Sequence, residues 1–167
     1  MFGVYYPKWI TVDPALDHTT GIFCTFPAVP GFWPGFFDQV VGTALLLGLI
    51  LAVVDKLNAL PGSNMAPFII GLIVVAIGIS FGGMNGYAIN PARDLGPRIF
   101  ETIVGFKNNG LTDGSNAWLP PVLGPLVGGV LGAIAYDLFI GRALVKAHRI
   151  VTEQRPEGMD ASYKEAA

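Results

Sequence analysis

The segment Gly86-Tyr87-Ala88-Ile89-Asn90-Pro91-Ala92-Arg93-Asp94 decides the fold, because it interrupts an apolar region of the chain without bringing a charge before Arg93. Together with the residues before it, its first half forms the stretch Gly82-Gly83-Met84-Asn85-Gly86-Tyr87-Ala88-Ile89, which is too rich in glycine and too polar to continue a helix, whereas proline is favourable at the first position of one. The sequence therefore predicts an extended stretch that leads into a short helix over residues 91–104. Non-helical backbone at membrane depth is tolerated only where it is buried in protein or lines a cavity. We therefore predict a permeation site in this segment.

Long uncharged stretches on both sides of this segment predict membrane-spanning helices. Of the 167 residues, 52% are hydrophobic and only 13% are charged, compared with roughly 25% charged residues in a soluble domain. Spans are predicted over about residues 36–54, 67–81 and 121–140, and the second is expected to end before Gly82. The predicted fold is an all-α membrane protein with three transmembrane helices and one re-entrant half-helix.

The two ends of the chain are predicted to lie outside the membrane. Residues 1–34 form an aromatic and proline-rich stretch, which we interpret as an extracellular loop. Residues 143–167 are interpreted as a disordered tail. A basic cluster follows the last span, and the preference of basic residues for the inner side predicts a cytoplasmic C-terminus; it comprises Arg142, Lys146, His148 and Arg149.

Several classes of function are excluded by composition. The net charge is −2 and no basic stripe with interleaved aromatic residues is present, which argues against nucleic-acid binding. Cys24 is the only cysteine, so neither an intrachain disulfide nor a cysteine-based metal site is expected. No nucleophile is paired with a base, and no phosphate-binding loop is present, so the sequence does not predict an enzyme. No cofactor or metal is predicted.

The motif Asn90-Pro91-Ala92-Arg93-Asp94 follows a short predicted span and precedes a span with regularly spaced glycines. In this context it resembles the second signature loop of the aquaporin superfamily, also called major intrinsic proteins. The aspartate after the arginine is typical of the aquaglyceroporin, or glycerol facilitator, branch. The resemblance implies an aquaporin-like right-handed helical bundle, of which residues 35–142 would form the second inverted repeat. It also implies a passive channel for glycerol and water, with urea and small polyols other than glycerol as further candidate solutes.

The resemblance also assigns roles to individual residues. It implies that Gly78, Tyr87 and Arg93 form three of the four selectivity positions, and that glycine, where water-selective relatives carry histidine, widens the constriction. Asn90, Pro91, Ala92 and Asp94 complete the signature loop, in which Asp94 is expected to orient the loop. Gln39 matches a position that braces this loop.

Elementary chemistry supports the same segment as a pore wall. The carbonyls of Gly86, Tyr87 and Ala88 are expected to have no intrahelical partner and can form a row of acceptors. The Asn90 amide and the Arg93 guanidinium can donate hydrogen bonds, although a structural ion pair between Arg93 and Asp94 is an alternative. In the last span, Gly124, Gly128 and Gly132 recur at every fourth position and predict close packing with another helix.

Two functional hypotheses remain open at this stage. The first is the C-terminal half of a glycerol channel, since the first signature loop and its helices are missing and the pore would be open to lipid. The second is a non-conducting assembly or regulatory subunit that packs against complete channels. The expected partners are glycerol, water, the lipid bilayer and a missing N-terminal half-channel, in a homotetramer in the plasma membrane.

Overall fold

The structure is a computed structural model that describes residues 7, 8 and 10–154, and the helices in this part of the chain are joined by turns and loops without any strand. After a short 3-10 turn at Thr20–Ile22, the helices are α1 (Phe32–Val54), α2 (Ala66–Asn85), α3 (Pro91–Val104) and α4 (Leu119–Tyr136). A π-helical turn at Asp137–Gly141 then continues directly into α5 (Arg142–Glu153). The all-helical prediction is confirmed for the described residues.

Within the part of the chain that the structure describes, three helical stretches are long and apolar enough to cross a membrane: Phe32–Val54, Ala66–Asn85 and Leu119–Glu153. Helix α3 has 14 residues and is too short, because a crossing needs about 20 residues. Its bounds, Pro91–Val104, coincide with those predicted for the half-helix.

Helices α1 and α4 pack backbone to backbone through the predicted glycine face. A Cβ atom built on Gly124 would lie 2.5 Å from the Cβ of Gln39. One built on Gly128 would overlap the carbonyl of Val40, and one built on Gly132 would overlap the carbonyl of Ala44. The glycines are therefore needed for the close approach of these two helices.

The interior is polar and the surface is apolar, which is the reverse of a soluble domain. The largest fully buried side chains are mostly polar or charged: Arg98, Gln39, Glu101, Asn85, Asp13, Asp94 and Pro121. Large apolar side chains on α1, α2 and α4 are exposed, including Leu45, Ile79 and Val130. Such a surface suits a lipid environment, where apolar side chains outside cost nothing and polar ones must find partners inside.

Three predicted boundaries need correction. The second span does not end at residue 81, since α2 continues to Asn85. Gly82 does not break the helix, and a Cβ on it would make ordinary van der Waals contact with the Tyr87 ring at 3.5 Å. The predicted N-terminal loop 1–34 is also partly wrong, because residues 7, 8 and 10–12 are helical and α1 begins at Phe32.

The region after the last span is the third correction. The last helical run extends from Leu119 to Glu153, beyond the predicted 121–140, and residues 143–153 are helical rather than disordered. An i,i+4 ion pair between Arg149 and Glu153, 3.0 Å long, adds a small stabilisation of the kind that exposed helices use. The remainder of the predicted tail, residues 155–167, lies outside the described residues.

Candidate permeation site

The start of α3 is capped by Asn90, whose backbone is extended while the next residue is already helical. Its side-chain Oδ1 accepts from the backbone N–H groups of Ala92 (3.0 Å) and Arg93 (3.3 Å). The start of a helix leaves its first N–H groups without an intrahelical partner, and the Asn90 cap satisfies these two. The side-chain amide nitrogen of Asn90 has no acceptor among the described residues and stays able to donate.

The structure brings the three predicted selectivity residues together. A Cβ on Gly78 would lie 3.3 Å from carbon atoms of the Tyr87 ring, which therefore packs directly on α2 at this glycine. The Arg93 guanidinium carbon lies 5.9 Å from the centroid of the same ring, within reach of a cation–π contact. Tyr87 thus lies between Gly78 and Arg93.

A groove of about 250 Å³ is lined by two members of this cluster, Tyr87 and Arg93, and by side chains of two apolar helices; Gly78 lies behind the Tyr87 ring and does not line the groove itself. Tyr87, Ala88, Asn90 and Arg93 border it from the loop side, and Leu46, Val74 and Ile89 supply apolar surface. Hydrogen-bond donors and acceptors therefore face apolar side chains across a narrow space. A solute with hydroxyl groups on a short carbon chain matches both kinds of surface.

The extended segment before Asn90 is held in a strained conformation. Gly86 has a φ of +61° and Ile89 a φ of +40°, and the latter is costly for a β-branched residue. A Cβ on Gly86 would lie 2.7 Å from Cγ2 of Thr25, so this position also excludes a side chain for lack of space. Strained backbone persists only where surrounding contacts enforce it.

Gln39 on α1 supplies those contacts. Its Nε2 donates to the carbonyl oxygen of Gly86 at 2.7 Å, and its Oε1 accepts from the N–H of Ile89 at 2.7 Å. The Gly86 carbonyl is therefore bonded to protein on the α1 side, whereas the carbonyls of Tyr87 and Ala88 have no donor in the part of the chain that the structure describes. The predicted row of acceptors is thus best represented by these two carbonyls.

Asp94 and Arg98 form a buried ion pair that sequence reasoning missed. The Arg98 Nε lies 2.5 Å from the Asp94 Oδ2, and both side chains are fully buried. Asp94 also accepts from the N–H (2.8 Å) and the hydroxyl (2.7 Å) of Thr25, and Arg98 donates to the carbonyl of Thr25. The pair therefore ties the N-terminal loop to α3.

This arrangement also argues against the alternative role of Arg93, a structural ion pair with Asp94. The distance from Arg93 Nη1 to Asp94 Oδ1 is 4.0 Å, at the limit of an ion pair, and the Arg93 side chain is 40% exposed. Because Arg98 is the close partner of Asp94, the Arg93 guanidinium is left facing the groove.

Glu101, one turn beyond Arg98, extends the same buried face. The thiol of Cys24 donates to its Oε2 at 3.0 Å. Burial, followed by this contact with Glu101, raises the pKa of the Cys24 thiol well above its usual range, so the thiol stays protonated and can donate. The spacing of four and three residues between Asp94, Arg98 and Glu101 was the available signal, since it places all three on one side of a helix.

Among the described residues, no group of three or more histidine, cysteine, aspartate or glutamate side chains could hold a metal ion. The polar groups of the site are donors and acceptors for hydrogen bonds.

Comparison with known proteins agrees with this geometry. Residues 7–136 match the family described as major intrinsic protein. Glycerol uptake facilitator protein 3 of Lactiplantibacillus plantarum is 40% identical over 135 residues, covering 80% of this chain and 54% of that protein. The glycerol uptake facilitator protein of Escherichia coli is 43% identical over 127 residues, covering 74% of this chain and 45% of that protein.

A solved structure, that of the aquaglyceroporin from Plasmodium falciparum, superposes with a TM-score of 0.72 at 30% identity and covers 86% of this chain and 58% of that one. The chain spans about half the length of the curated relatives it matches.

Proposed function

This chain belongs to the major intrinsic protein family, and we propose that it provides the C-terminal half of a channel through which glycerol and water diffuse passively across a membrane. Members of this family are channels and facilitators, integral to the membrane, and not enzymes. The observation that carries the proposal is that Tyr87 and Arg93 line one groove, with the Tyr87 ring packed on Gly78 behind it.

The chemistry of this groove supports glycerol as a solute. The Arg93 guanidinium and the Asn90 amide donate to hydroxyl oxygens, the carbonyls of Tyr87 and Ala88 accept from hydroxyl hydrogens, and Leu46 and Val74 face the carbon chain. The positive end of the α3 dipole and the Arg93 charge disfavour cations at the same place. The names of the similar proteins from L. plantarum and E. coli support the same solute.

We propose further that a second half-channel completes the pore. The groove is open on one side, and within α2 only Ile77 and Asn85 are buried. The share of the relatives' length that this chain covers supports the same view. By the family resemblance, the complete protein would be a homotetramer in the plasma membrane. The basic residues of α5 favour a cytoplasmic C-terminus and, across three spans, an external N-terminus.

The alternative, a non-conducting subunit that packs on complete channels through its glycine face, is less well supported. Gly124, Gly128 and Gly132 are all in contact with α1 of the same chain, so they are not available to another protein. An assembly role would need a different surface.

Stopped-flow permeability of liposomes distinguishes these two functions. Liposomes containing this chain alone are compared with liposomes in which it is combined with the part of the E. coli facilitator that lies outside the matched region. Glycerol flux only with both parts supports the half-channel, and flux from this chain alone would show that it assembles a pore by itself. Folded complexes without flux would favour the assembly subunit.

In the completed channel, Arg93→Ala should lower glycerol flux about tenfold or more, since hydrogen bonds from a charged donor are worth about 1.5–3 kcal/mol each. Arg142→Ala is the matched control, because Arg142 is an exposed arginine at the start of α5 and does not line the groove. It should leave flux unchanged. Equal flux in the Arg93→Ala variant and the parent would remove Arg93 from the permeation path.

Gly78→His should reduce glycerol flux about tenfold or more and leave water flux within about threefold, because its Cβ would already lie 3.3 Å from the Tyr87 ring, so that the imidazole displaces the ring towards the groove without removing hydrogen-bonding groups. Gly71→His on the same helix is the control, since a Cβ there meets nothing within 4 Å. A proportional fall in both fluxes would mean that position 78 does not set solute size.

A further inference from the structure

The side-chain amide of Gln39 has three hydrogen-bond partners, and their chemistry fits only one orientation of that amide. Two partners are acceptors: the Gly86 carbonyl (2.7 Å) and the Asp38 carboxylate, whose Oδ2 lies 3.1 Å from Gln39 Nε2. The third is a donor, the N–H of Ile89. An amide nitrogen has two hydrogens to donate and its oxygen can accept, so all three partners are satisfied together.

Asp38 is the partner to which no role has been given. It is adjacent to Gln39 near the start of α1, and its side chain is buried, with 7% relative exposure for the residue. Among the described residues, the Asp38 carboxylate accepts one hydrogen bond, which comes from the Gln39 side chain. A buried carboxylate is costly and is retained where it is paired or where it serves a purpose.

We propose that Asp38 is a positioning residue for the permeation segment: its carboxylate requires a hydrogen-bond donor at position 39, and thereby fixes the amide that holds Gly86 and Ile89. The two held residues bracket Tyr87 and Ala88, which both line the groove. Asp38 therefore acts on the pore wall through Gln39, without touching the solute. This inference rests on the proposed function only for its effect on transport.

The structure explains why residues 86–89 need to be held by hydrogen bonds from Gln39. Ile89 has a positive φ and is pressed against α1, where a Cβ on Gly42 would lie 3.2 Å from its Cγ2. Its N–H has the Gln39 oxygen as its partner. If the amide turned over, its nitrogen would face the Ile89 N–H and its oxygen would face two acceptors, and three contacts would become repulsive.

The decisive experiment is a double-mutant cycle of Asp38→Asn and Gln39→Glu. An ionised glutamate at position 39 presents only acceptors to the Asp38 carboxylate and the Gly86 carbonyl, and a protonated one has a single hydrogen for these two acceptors, whereas an asparagine at position 38 can donate to either form. Gln39→Glu should therefore raise the hydrogen-exchange rate of residues 86–90 by a factor that is at least about tenfold larger with Asp38 present than in the Asp38→Asn background. Asp38→Asn alone should change little, because its amide oxygen can still accept from Gln39.

Two readouts are taken for the four proteins. The first is hydrogen–deuterium exchange of the peptide covering residues 86–90 in lipid nanodiscs, which reports on the Ile89 N–H and needs no transport. The second is the ratio of glycerol to water flux in the completed channel. Asp55→Asn is the control, since this carboxylate lies just after the other end of α1 and accepts from the Tyr136 hydroxyl (2.7 Å).

The outcomes are separable. Recovery of exchange protection and of the flux ratio in the double variant supports the proposal, and so does a double variant that folds where Gln39→Glu alone does not. Recovery of protection in a protein without flux supports the positioning role and contradicts the channel. An equal cost of Gln39→Glu in both backgrounds overturns the positioning role, whatever the flux. If neither protein carrying Gln39→Glu folds, an unchanged exchange rate in Asp38→Leu overturns it as well, and faster exchange supports it.

Discussion

Replacing Arg98 by methionine is expected to unfold this chain in detergent or lipid, although Arg98 does not border the proposed groove. The substitution leaves the Asp94 carboxylate buried without its cation, and the carbonyls of Thr25 and Asn109 without their donor. Removal of one partner from a buried ion pair costs about 3–5 kcal/mol. That is a large part of the about 5–15 kcal/mol by which a native protein is stable.

Thermal unfolding in a mild detergent, followed by circular dichroism, measures this effect. Arg142→Met is the matched control, because the Arg142–Asp137 pair has a similar distance of 3.1 Å but is 67% and 62% exposed, and exposed pairs contribute little. Arg98→Met combined with Asp94→Leu should recover part of the lost stability, since the orphaned charge is then removed as well. A single Arg98→Met variant as stable as the Arg142→Met control would show that the buried pair is not formed.

The local rules of helix formation made the permeation segment predictable from sequence. Pro91 after Asn90 marks a helix start, and α3 begins there with Asn90 as its cap. Gly78, Tyr87 and Arg93 came from a family resemblance, and the structure places them in contact around one ring. Their individual roles in transport remain predictions.

Glycine was the residue that local rules interpreted least well. Gly82 and Gly83 suggested a break in the helix, but α2 continues through both to Asn85. The backbone freedom of a glycine is visible in a sequence, whereas the aromatic ring that packs on Gly82 comes from five residues further along the chain, after a turn. Contacts made by residues beyond the end of the helix decide whether such a glycine ends the helix or stays within it.

Buried polar partners were the other part that sequence could not supply. In the sequence, Arg98 and Glu101 indicate only a polar face on a short helix. Their partners, Thr25 and Cys24, are brought against them by the fold. In lipid, each buried polar group needs a partner within the protein. The presence of partners could therefore be inferred from the sequence, while their identity depends on loops that pack from about 70 residues away.

Replacing Gly128 by leucine is expected to separate α1 from α4 and to lower the unfolding temperature by roughly 10 °C, from an overpacking cost of about 3 kcal/mol or more. The added Cβ alone would overlap the carbonyl of Val40, and the helix backbone cannot move aside as a flexible side chain can. Unfolding temperature in detergent and the fraction of monodisperse protein on size exclusion measure the effect.

Gly129→Leu provides a control that is matched in chemistry and position. It adds the same side chain one residue further along α4, with the same gain in helix propensity and apolar surface, but its Cβ would lie 3.7 Å from the end of the flexible Leu47 side chain. Because the two variants differ only in the surface that receives the leucine, a difference between them isolates the α1–α4 contact. Equal unfolding temperatures would mean that α4 does not lie on α1 through Gly128. Because α4 packs on α1 directly beside Gln39, the position of Gln39 beneath the permeation segment would then lose its support as well.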